Sequence, residues 1–487
     1  MSGTIETRLF INNEFVPARS GSTFALYNPA TEDHVADVSQ AEAADIEDAF
    51  IAATAAQKEW EGIPPMRKSP LYGKLAGLIM LHGDELARLE AISMGKPYSS
   101  FMFDKMACAG LFGHYASAAY HIQGQSSLNT PGMINMTIKQ PYGVVAAIIP
   151  WNVSLIMFAM KVAPAIAAGN AIIVKTSEKA PLACLKLAAL IKQAGFPPGL
   201  INIVSGYGNI TGKVLAEHMK IRKIAFTGSV PTGKKIMQMA AASNLKNVTL
   251  ELGGKSPAII FADADLDMAA KATEFSIHQN SGQHCQANSR VFVEEGILDQ
   301  YLEKVVAIMT SRKLGNPLEK DTWQGPQGDE TQQKRVLSMI ENGKTNGELV
   351  LGGKAADVGG KGYFVEPTIF KNVNEDAEIY REEIFGPVLL VNTFKTEEDV
   401  IRRANDTEYG LFASVYTRNF ERAMRFAKLL ESGAVGVNCS APTQGLDMPV
   451  GGWKQSGVGR EMHMYAVENF LETKTVYFKF DHSFDMH

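Results

Sequence analysis

The chain has 487 residues, of which 46% are hydrophobic and 20% charged, a balance typical of a folded globular protein. At roughly 100–200 residues per domain, this length predicts two to four domains. The net charge is −5 and no long run of like charges occurs, so the chain lacks the broad positive field that a nucleic-acid partner would require.

The first clear elements lie in a stretch of uncharged residues, 143–160, which approaches the length of a membrane span. The interruption by Pro150, Trp151 and Asn152 argues against a span, and so does the change of period. Residues 143–149 form a short apolar run typical of a buried strand, and residues 155–168 have the pattern of an apolar helix. We therefore predict a strand, a turn and a helix, with no membrane crossing.

Strand-like and helix-like patterns then alternate along the chain, which predicts βαβ units and parallel sheets with helices on both faces. In the first alternating region the predicted strands are residues 171–174, 201–204, 223–226 and 248–251, and the predicted helices are 181–194, about 211–217 and 231–242. In the second region the predicted strands are residues 258–261, 290–293 and 387–391, and the predicted helices are 266–279 and 298–311. Residues 475–480 alternate like an edge strand, and such a terminal strand often pairs outside its own domain.

The turn after the predicted strand 223–226 is a candidate phosphate site. Its glycine and hydroxyl, Gly228 and Ser229, lead into a helix, and a helix N-terminus offers free backbone N–H groups and a positive dipole end. On this local pattern alone, an ordinary strand–helix turn is equally plausible. The preceding turn, residues 206–212, is one residue too long for the G-x-G-x-x-G fingerprint, so the standard Rossmann motif is not met.

A second candidate follows the predicted strand 171–174, where Lys175 and Glu178 are found. In doubly wound sheets, ligands bind outside the carboxyl ends of the strands. A carboxylate there accepts hydrogen bonds from ribose hydroxyls, and a lysine donates to one or meets a 2′-phosphate. The alternative reading is a solvated charge pair on the surface.

Four cysteines, Cys108, Cys184, Cys285 and Cys439, are widely spaced and form no metal-ligand pattern. This is typical of reduced thiols in an intracellular protein, so we expect a cytoplasmic location and no metal site. We expect three of them to be small buried hydrophobes. Cys285 differs because it lies in a polar, glycine-containing loop between a helix and a strand, where an accessible thiol becomes a nucleophile once deprotonated.

Two further residues are candidate bases for this thiol. The neighbouring His284 is disfavoured, because adjacent side chains in an extended loop point apart. Glu251 stands at the end of a predicted strand before two glycines, and a partly buried glutamate with a raised pKa can act as a general base. A helix or turn cap is an equally good local reading of Glu251. No G-x-S-x-G motif occurs, which argues against a serine hydrolase.

Taken together, these segments resemble the aldehyde dehydrogenase superfamily over nearly the whole chain. The matching segments, in chain order, are residues 150–152, 161–170, 175–178, 226–229, 251–257, 282–285, 382–387 and 449–461. Each alone is a modest signal, but the full set in this order is highly specific. The resemblance implies an α/β fold with two doubly wound Rossmann-like domains, one for the cofactor and one catalytic, and a small β oligomerisation arm.

The resemblance also implies where these parts lie. The dinucleotide-binding domain would comprise residues 1–122 and 142–253, the catalytic domain residues 254–455, and the arm residues 123–141 and 466–487. A homodimer or homotetramer is implied, with residues 123–140 and the tail strand bridging subunits.

The implied reaction is oxidation of an aldehyde to a carboxylic acid through Cys285. The thiolate would attack the carbonyl, and Asn152 with the Cys285 backbone N–H would hold the oxyanion, usually the largest electrostatic contribution in such chemistry. After hydride transfer to the nicotinamide, Glu251 would activate the water that hydrolyses the thioester. Lys161 and Glu461 match positions that the family uses to relay that proton.

The family likeness assigns the cofactor contacts as well. Lys175 and Glu178 would meet the adenosine ribose, Ser229 the pyrophosphate, and Glu383 and Phe385 the nicotinamide ribose and ring. The other implied contacts are Ile148, Ile149, Trp151, Ser177, Gly208, Phe226, Gly228, Leu252, Gly253 and Gln332. Glu178 should repel a 2′-phosphate by about 1–4 kcal/mol in partly wet surroundings, so we favour NAD. NADP stays open because Lys175 offsets that repulsion.

Departures from the family pattern concern the substrate. Where many relatives have Phe-Pro after the Pro-Trp-Asn motif, this chain has Val153 and Ser154, which removes an aromatic wall near the tunnel. Other expected tunnel residues are the adaptable Met157 and Met160, the polar Gln279, and Val450. The segment 448–453 resembles the betaine aldehyde dehydrogenase branch. These signals conflict, so they specify an aldehyde but not which one.

Three other functions are compatible with parts of this pattern. An acylating dehydrogenase would pass the thioester to coenzyme A, and Glu251 as water activator argues against it. A non-catalytic binding protein on the same fold is disfavoured because Cys285, Glu251 and Asn152 are all present. A thioesterase or esterase would use Cys285 without a nicotinamide.

Overall fold

A computed structural model describes residues 5–442 and 445–480. The start of the predicted dinucleotide-binding domain, residues 1–4, and the end of the predicted arm, residues 481–487, lie outside the described residues.

Each strand predicted from the sequence is present to within a few residues, and the structure adds strands that were not predicted. The strands of the described residues are β1 (Leu9–Ile11), β2 (Glu14–Val16), β3 (Thr23–Tyr27), β4 (His34–Ser39), β5 (Ser126–Ser127), β6 (Met133–Pro141), β7 (Val144–Ile148), β8 (Ala171–Lys175), β9 (Ile201–Val204), β10 (Lys223–Thr227), β11 (Asn247–Glu251), β12 (Pro257–Ile260), β13 (Arg290–Glu294), β14 (Glu348–Leu351), β15 (Thr368–Lys371), β16 (Val388–Phe394), β17 (Phe412–Tyr416), β18 (Ala434–Val437), β19 (Gly457–Val458) and β20 (Leu471–Lys479).

The α-helices alternate with these strands from residue 154 onward. They are α1 (Ala43–Gly62), α2 (Pro65–Leu81), α3 (Gly83–Met94), α4 (Tyr98–Tyr115), α5 (Ser154–Ala167), α6 (Leu182–Ala194), α7 (Lys213–Glu217), α8 (Val230–Ser243), α9 (Leu266–His278), α10 (Leu298–Ser311), α11 (Glu330–Asn346), α12 (Glu378–Arg381), α13 (Glu397–Asn405), α14 (Phe420–Leu429) and α15 (His463–Glu468). The helix expected near 211–217 is preceded by a wider helical turn at Gly208–Gly212.

The first sheet has the order β19-β11-β10-β7-β8-β9-β1-β2. Its five central strands are parallel and buried except at the start of β11, and β1, β2 and β19 pair antiparallel at the edges. Parallel strands buried on both faces are expected to be apolar, and the run Val144–Ile148 is buried throughout. The strand β19 shows that the chain returns to this sheet after the second one is complete.

The second sheet has the order β14-β15-β16-β13-β12-β17-β18 and is parallel except for β14. A third, antiparallel sheet has the order β20-β6-β5, in which Leu471 pairs with Pro141 and Lys479 with Met133. The fold is therefore the predicted α/β architecture of two doubly wound sheets and a small β arm. The proposed domain boundaries stay predictions.

The alternation argument is silent on residues 9–115, which form β1–β4 and α1–α4. The helix α4 shows why no clear period marks them. It buries Phe101 and Phe112 against the core but exposes Met102, Phe103 and Met106, so apolar side chains surround the helix. Its partners α2 and α5 are distant in sequence, and only tertiary packing decides which face is covered.

The apolar stretch around residue 150 is a strand and a helix inside the first core, as predicted. In the part of the chain that the structure describes, no helix combines the length and the apolar character needed to cross a bilayer.

Candidate active site

The strand order of the first sheet reverses at β7. From β7 the chain continues to β8 and β9 on one side, and it returns to β10 and β11 on the other. Ligands of open α/β sheets bind outside the carboxyl ends of the strands at such a reversal. A cleft of about 400 Å³ opens at this point, between the turns of the first sheet and residues of the second region.

Most of the predicted site residues line this one cleft. They are Ile148, Ile149, Trp151, Asn152, Val153, Met157, Lys175, Ser177, Glu178, Gly208, Phe226, Gly228, Ser229, Leu252, Gly253, Cys285, Gln332, Glu383 and Phe385. They come from both alternating regions, so the fold brings together segments that are up to about 240 residues apart in the sequence.

Several lining residues were not predicted, among them Thr232, Ile236, Lys179 and Arg335. For two of these residues, the sequence contained a signal that could have identified them. Thr232 and Ile236 follow Ser229 at the i+3 and i+7 positions of a helix, which place side chains on one face. The sequence contained no such signal for Arg335, because its guanidinium donates to the Glu383 carbonyl at 3.0 Å, a contact between residues that are 48 positions apart.

The predicted phosphate turn has the geometry that an anion requires. Ser229 is exposed and directly precedes α8, whose first turn begins with Val230 and Pro231. A Cβ on Gly228 would lie 2.5 Å from the Phe226 ring, so only glycine allows the chain to turn this closely. The helix N-terminus at this turn suits a pyrophosphate through its N–H groups and dipole.

Lys175 and Glu178 lie at the end of β8, as expected. The Lys175 side chain is buried, and its Nζ donates to the Thr176 carbonyl at 2.7 Å and lies 3.7 Å from Glu178 Oε2. Burial lowers the pKa of Lys175. The Glu178 carboxylate is partly exposed on the cleft wall, so this pair is not merely a solvated surface pair.

Glu383 and Phe385 form the opposite wall. Glu383 Oε1 accepts a hydrogen bond of 3.1 Å from the Gly254 N–H, and burial raises the pKa of Glu383 to about 7. Phe385 has a φ of +58°, and its carbonyl accepts from Gln332 Nε2 at 2.8 Å. Its ring lies edge-on to Trp151 with centroids 5.5 Å apart. These groups fit a dinucleotide. The Glu383 carboxylate can accept hydrogen bonds from ribose hydroxyls, and the Phe385 and Trp151 rings can pack beside a planar ring of the ligand.

Asn152 is held by the loop that leads to Cys285. Its Nδ2 donates to the Gln283 carbonyl at 3.0 Å, and Asn280 Nδ2 donates to the Asn152 carbonyl at 3.1 Å. The loop is tight: Asn280, Ser281 and Gly282 all have positive φ. The buried side-chain amide of Asn152 is thereby fixed beside the cysteine loop.

The Cys285 thiol lines the cleft, so it is partly accessible there. Cys285 is half-buried, and its pKa lies well above the ordinary value because of burial and the nearby charges of Glu251 and Glu383. A raised pKa means that the thiol is the resting form and needs a base. Burial also lowers the pKa of His284 to about 4.

Glu251 is the last residue of β11 and only 2% exposed. Burial, and next the charge of Glu461, raise its pKa to about 8. Its side chain caps no helix or turn among the described residues, and its Oε2 atom has no hydrogen-bond partner there. The general-base reading of this residue is therefore favoured over the cap.

Lys161 and Glu461 form a buried ion pair. With Glu251 they are not among the residues that line the cleft, and the charges of both act on the Glu251 carboxyl. The structure thus brings the three predicted proton-handling groups together behind the cleft.

Only two of the five predicted tunnel residues, Val153 and Met157, line the cleft. Met160 is buried within α5, Gln279 directly follows α9, and Val450 forms an isolated bridge with Glu461. Their place in this cleft is therefore not supported, and their role in a substrate tunnel stays a prediction.

The other cysteines differ from one another. Cys108 and Cys184 are buried as expected, whereas Cys439 is half-buried, so the expectation of a buried residue was wrong for it. Cys439 follows β18, an edge strand that has a neighbouring strand on one side only. Within residues 5–442 and 445–480 no cluster of three or more histidines, cysteines or carboxylates is arranged to hold a metal ion.

A family model matches nearly the entire chain. Residues 15–476 match the model described as the aldehyde dehydrogenase family. Among similar proteins, an aldehyde dehydrogenase of Alternaria alternata is 45% identical over 96% of this chain and 95% of its own length. Retinal dehydrogenase 2 of Homo sapiens is 43% identical over 96% of this chain and 91% of its own length.

Solved structures are also similar. The NAD+ complex of an aldehyde dehydrogenase from Bacillus cereus has a TM-score of 0.95 and 43% identity, covering 97% of this chain and 96% of that one. The indole-3-acetaldehyde dehydrogenase of P. syringae, in complex with NAD+, has a TM-score of 0.95 and 40% identity, covering 98% and 97% of the two chains. The chain therefore belongs to the aldehyde dehydrogenase family.

Proposed function

We propose that this protein oxidises an aldehyde to a carboxylic acid with NAD+ through a thioester on Cys285. One observation carries the proposal: Cys285 and Asn152 line the same cleft as the phosphate turn and Glu383, while the Glu251 carboxyl acts on the Cys285 thiol from behind. A nucleophile, an oxyanion donor, a base and a dinucleotide site are the parts that this reaction class needs.

The residues of the cleft fit NAD+, whose nicotinamide accepts a hydride when bound. Glu383 and Glu178 would accept hydrogen bonds from the two riboses, and the turn at Gly228 and Ser229 would hold the pyrophosphate. Relatives solved with NAD+ support this cofactor. We favour NAD over NADP because the Glu178 carboxylate would repel a 2′-phosphate. Lys175 Nζ lies 3.7 Å from Glu178 Oε2, and its charge partly offsets that repulsion, so the preference for NAD should be moderate.

The first covalent step joins Cys285 Sγ to the carbonyl carbon of the aldehyde. Because the pKa of the thiol is raised, a base must remove its proton as the bond forms, and Glu251 is the carboxyl group whose charge acts most strongly on this thiol. The Asn152 amide, already oriented by its bond to the Gln283 carbonyl, donates to the developing oxyanion together with the Cys285 N–H. Donors fixed before the reaction are worth most in such a site.

Hydrolysis of the thioester completes the cycle. Glu251 first passes the proton that it took from the thiol to the Lys161–Glu461 pair, which leaves its carboxylate free to act again. It then removes a proton from water as the oxygen bonds to the acyl carbon, and the C–S bond breaks to release the acid and the Cys285 thiolate. The pKa of about 8 makes Glu251 a stronger base than an ordinary glutamate. The protonated Glu251 returns this proton to the thiolate, so that one proton in each cycle leaves through Lys161 and Glu461.

The substrate class is an aldehyde. The cleft residues on the substrate side that we identify, Val153 and Met157, are apolar and partly adaptable, which favours an apolar substituent. The likeness of segment 448–453 to the betaine aldehyde dehydrogenase branch stays a prediction, and it argues against an apolar substituent.

We also propose that the arm sheet formed by β5, β6 and β20 joins subunits of a homodimer or homotetramer. The strand β20 is long and largely exposed along its length, which suits pairing or packing with a second copy. A cytoplasmic location stays a prediction from the reduced thiols.

The three alternative functions require different groups in the site. An acylating enzyme needs coenzyme A to take the acyl group and has no use for a buried base such as Glu251. A binding protein needs no unpartnered carboxyl beside its cysteine. The esterase reading shares Cys285 but needs no dinucleotide cleft.

A panel of aliphatic, aromatic and amino aldehydes, assayed with NAD+ and NADP+, tests the proposal. We expect reduction of NAD+ together with release of the free acid, and no reduction by Cys285→Ala, which should still bind NAD+ in a fluorescence titration. The proposal is wrong if Cys285→Ala keeps its turnover. Product that appears only with coenzyme A would favour the acylating enzyme.

A further inference from the structure

A short segment between α10 and α11, residues 323–328, lies against the loop that carries the nucleophile. We call this segment the strap, and residues 279–285 the cysteine loop. Ser281 Oγ in the loop donates to the Gly325 carbonyl of the strap at 2.7 Å. In the other direction, Gln327 Nε2 in the strap donates to the Ser281 carbonyl at 3.2 Å. Hydrogen bonds in both directions therefore hold the two segments together.

Gln283 extends these contacts to the oxyanion donor. Its side-chain Nε2 donates to the Pro326 carbonyl at 3.3 Å, and its Oε1 accepts from the Gly328 N–H at 2.8 Å, so both ends of the amide are bonded to the strap. The backbone carbonyl of Gln283 accepts from Asn152 Nδ2 at 3.0 Å. The position of the strap therefore influences where the Asn152 amide stands relative to Cys285.

His278 joins the strap to the end of α9. It is the last residue of that helix and is fully buried. Its Nε2 atom donates to Gln324 Oε1 in the strap, and the orientation of that amide is fixed because Gln324 Nε2 donates to the Val365 carbonyl at 2.7 Å. Its Nδ1 atom lies 2.9 Å from Glu274 Oε1. Both ring nitrogens thus face acceptors, so the ring makes both bonds as an imidazolium, with a proton on each nitrogen.

The surroundings of His278 stabilise this positive charge. Glu274 precedes it by one helical turn, on the same face of α9, and is fully buried. Arg312 donates to Glu274 Oε1 at 3.3 Å and to Oε2 at 3.2 Å, and its guanidinium lies 3.8 Å from the centre of the Trp323 ring. Although burial opposes ionisation, the bonds from His278 and Arg312 lower the pKa of Glu274. The carboxylate and the negative end of the helix dipole therefore both favour the imidazolium.

We propose that His278 is a positioning residue for thioester formation: bonded to Glu274 on one side and to Gln324 on the other, its imidazolium holds the strap against the end of α9 and thereby fixes the cysteine loop. The ring does not line the cleft, so it acts through the strap. Loss of its bonds shifts the Asn152 amide relative to Cys285. This inference rests on the proposed function, because it concerns how those two groups are aligned.

Three substitutions separate the hydrogen bonds of His278 from the space that it fills. His278→Phe keeps a ring but removes both bonds. Gln324→Met removes the acceptor on the strap, whereas Gln324→Glu keeps an oxygen that accepts from His278 Nε2. The added carboxylate would face the positive charges of His278 and Arg312, which the single carboxylate of Glu274 balances only in part, so we expect Gln324→Glu to be tolerated.

A second histidine–glutamate pair offers a matched control away from the cysteine loop. His218 directly follows α7. Its Nε2 lies 3.3 Å from Glu47 Oε2, and its ring lies against Phe50, with ring centroids 4.8 Å apart. Neither member of this pair is among the residues that line the cleft. His218→Phe therefore removes the same kind of pair at a different place in the fold.

First-turnover formation of NADH, followed by stopped flow with a saturating aldehyde, measures the step that the alignment controls. We expect His278→Phe and Gln324→Met to slow it by about tenfold to a hundredfold, the cost of a small misplacement of reacting groups. Gln324→Glu should keep most of the rate, and His218→Phe all of it. The Kd for NAD+ and the rate of Cys285 alkylation by iodoacetamide should not change in any of the four variants, because alkylation needs no oxyanion donor.

The proposal is overturned if His278→Phe keeps the full first-turnover rate, or if Gln324→Glu slows the reaction as much as Gln324→Met. It is also overturned if alkylation of Cys285 slows in parallel with NADH formation, since that result indicates a general loosening of the site. Should thermal unfolding show that His278→Phe does not fold, the two Gln324 variants decide, because they leave the bonds of Glu274 in place. Turnover by Cys285→Ala would instead refute the proposed function itself.

Discussion

The charges of two glutamates, Glu251 and Glu383, both act on the Cys285 thiol. The two carboxyl groups nevertheless have different surroundings. Burial raises both pKa values, to about 8 and about 7 respectively. Glu383 is half-buried in the cleft wall and accepts a hydrogen bond from the Gly254 N–H. Glu251 is 2% exposed, lies behind the cleft, and keeps an oxygen without a partner among the described residues.

The difference shows how the surroundings separate a binding carboxylate from a reacting one. A carboxylate fixed by a backbone N–H keeps one orientation and presents its other oxygen to a ligand. A carboxylate whose oxygen is unpaired and whose neighbour Glu461 is acidic has a high proton affinity, because desolvation and like charge both oppose ionisation. Such a group is suited to gain and lose a proton in each cycle.

Among substitutions that distinguish the two glutamates, Glu251→Gln should have the largest effect. The amide cannot accept the proton, so we expect thioester hydrolysis to slow by about 10²–10⁴-fold, in the range of general-base contributions, while a burst of NADH remains. Because the raised pKa keeps Glu251 protonated below about 8, the steady-state rate of the unaltered enzyme should rise as the pH increases through about 8. Glu251→Gln should lose that rise. Stopped-flow absorbance across pH measures both, and a variant with neither a burst nor slower turnover would show that Glu251 is not the base.

Asn152→Ala should have the next largest effect. It removes a donor that is already oriented by the Gln283 carbonyl, and loss of one such oxyanion donor costs about 10²–10³-fold in kcat. Binding of NAD+, followed by fluorescence, should be unchanged. Asn152→Asp, of nearly the same shape, is the matched variant. Activity retained by Asn152→Ala would contradict the role of Asn152 as an oxyanion donor.

Glu383→Gln should behave unlike Glu251→Gln. It keeps the shape and the bond to the Gly254 N–H but weakens acceptance from a ribose, a change of about 1–1.5 kcal/mol or roughly tenfold. We expect this loss in KM for NAD+, with hydrolysis of the thioester unaffected in single-turnover assays. If hydrolysis slows as it does in Glu251→Gln, the contrast between the two glutamates is refuted.

The smallest effect concerns cofactor choice. Glu178→Gln removes a partly exposed charge, so the preference in kcat/KM for NAD+ over NADP+ should narrow by about tenfold, near the lower end of the roughly 1–4 kcal/mol that such a charge supplies at short range. Lys175 stays in place and supports binding of the 2′-phosphate. Parallel titrations with both cofactors measure this, and an unchanged ratio would place the adenosine ribose elsewhere.

Much of the site could be predicted because each candidate stands at an element end. Gly228, Ser229, Lys175 and Glu251 all follow strands whose patterns are clear in the sequence, and the strand reversal at β7 collects those ends. Arg335 could not be predicted, because its role depends on a contact with the Glu383 carbonyl.

The sequence by itself determined the alternation of strands and helices, the family, and the residue types that the chemistry needs, because these depend on local periodicity and on motif order. Only the tertiary structure decided that the Cys285 thiol is half-buried with a raised pKa, that Met160, Gln279 and Val450 are not among the residues that line the cleft, and that the charges of Lys161 and Glu461 act on the buried Glu251 carboxyl. Desolvation and charge–charge interactions depend on distances between residues that are remote in the chain, and these distances exist only after folding.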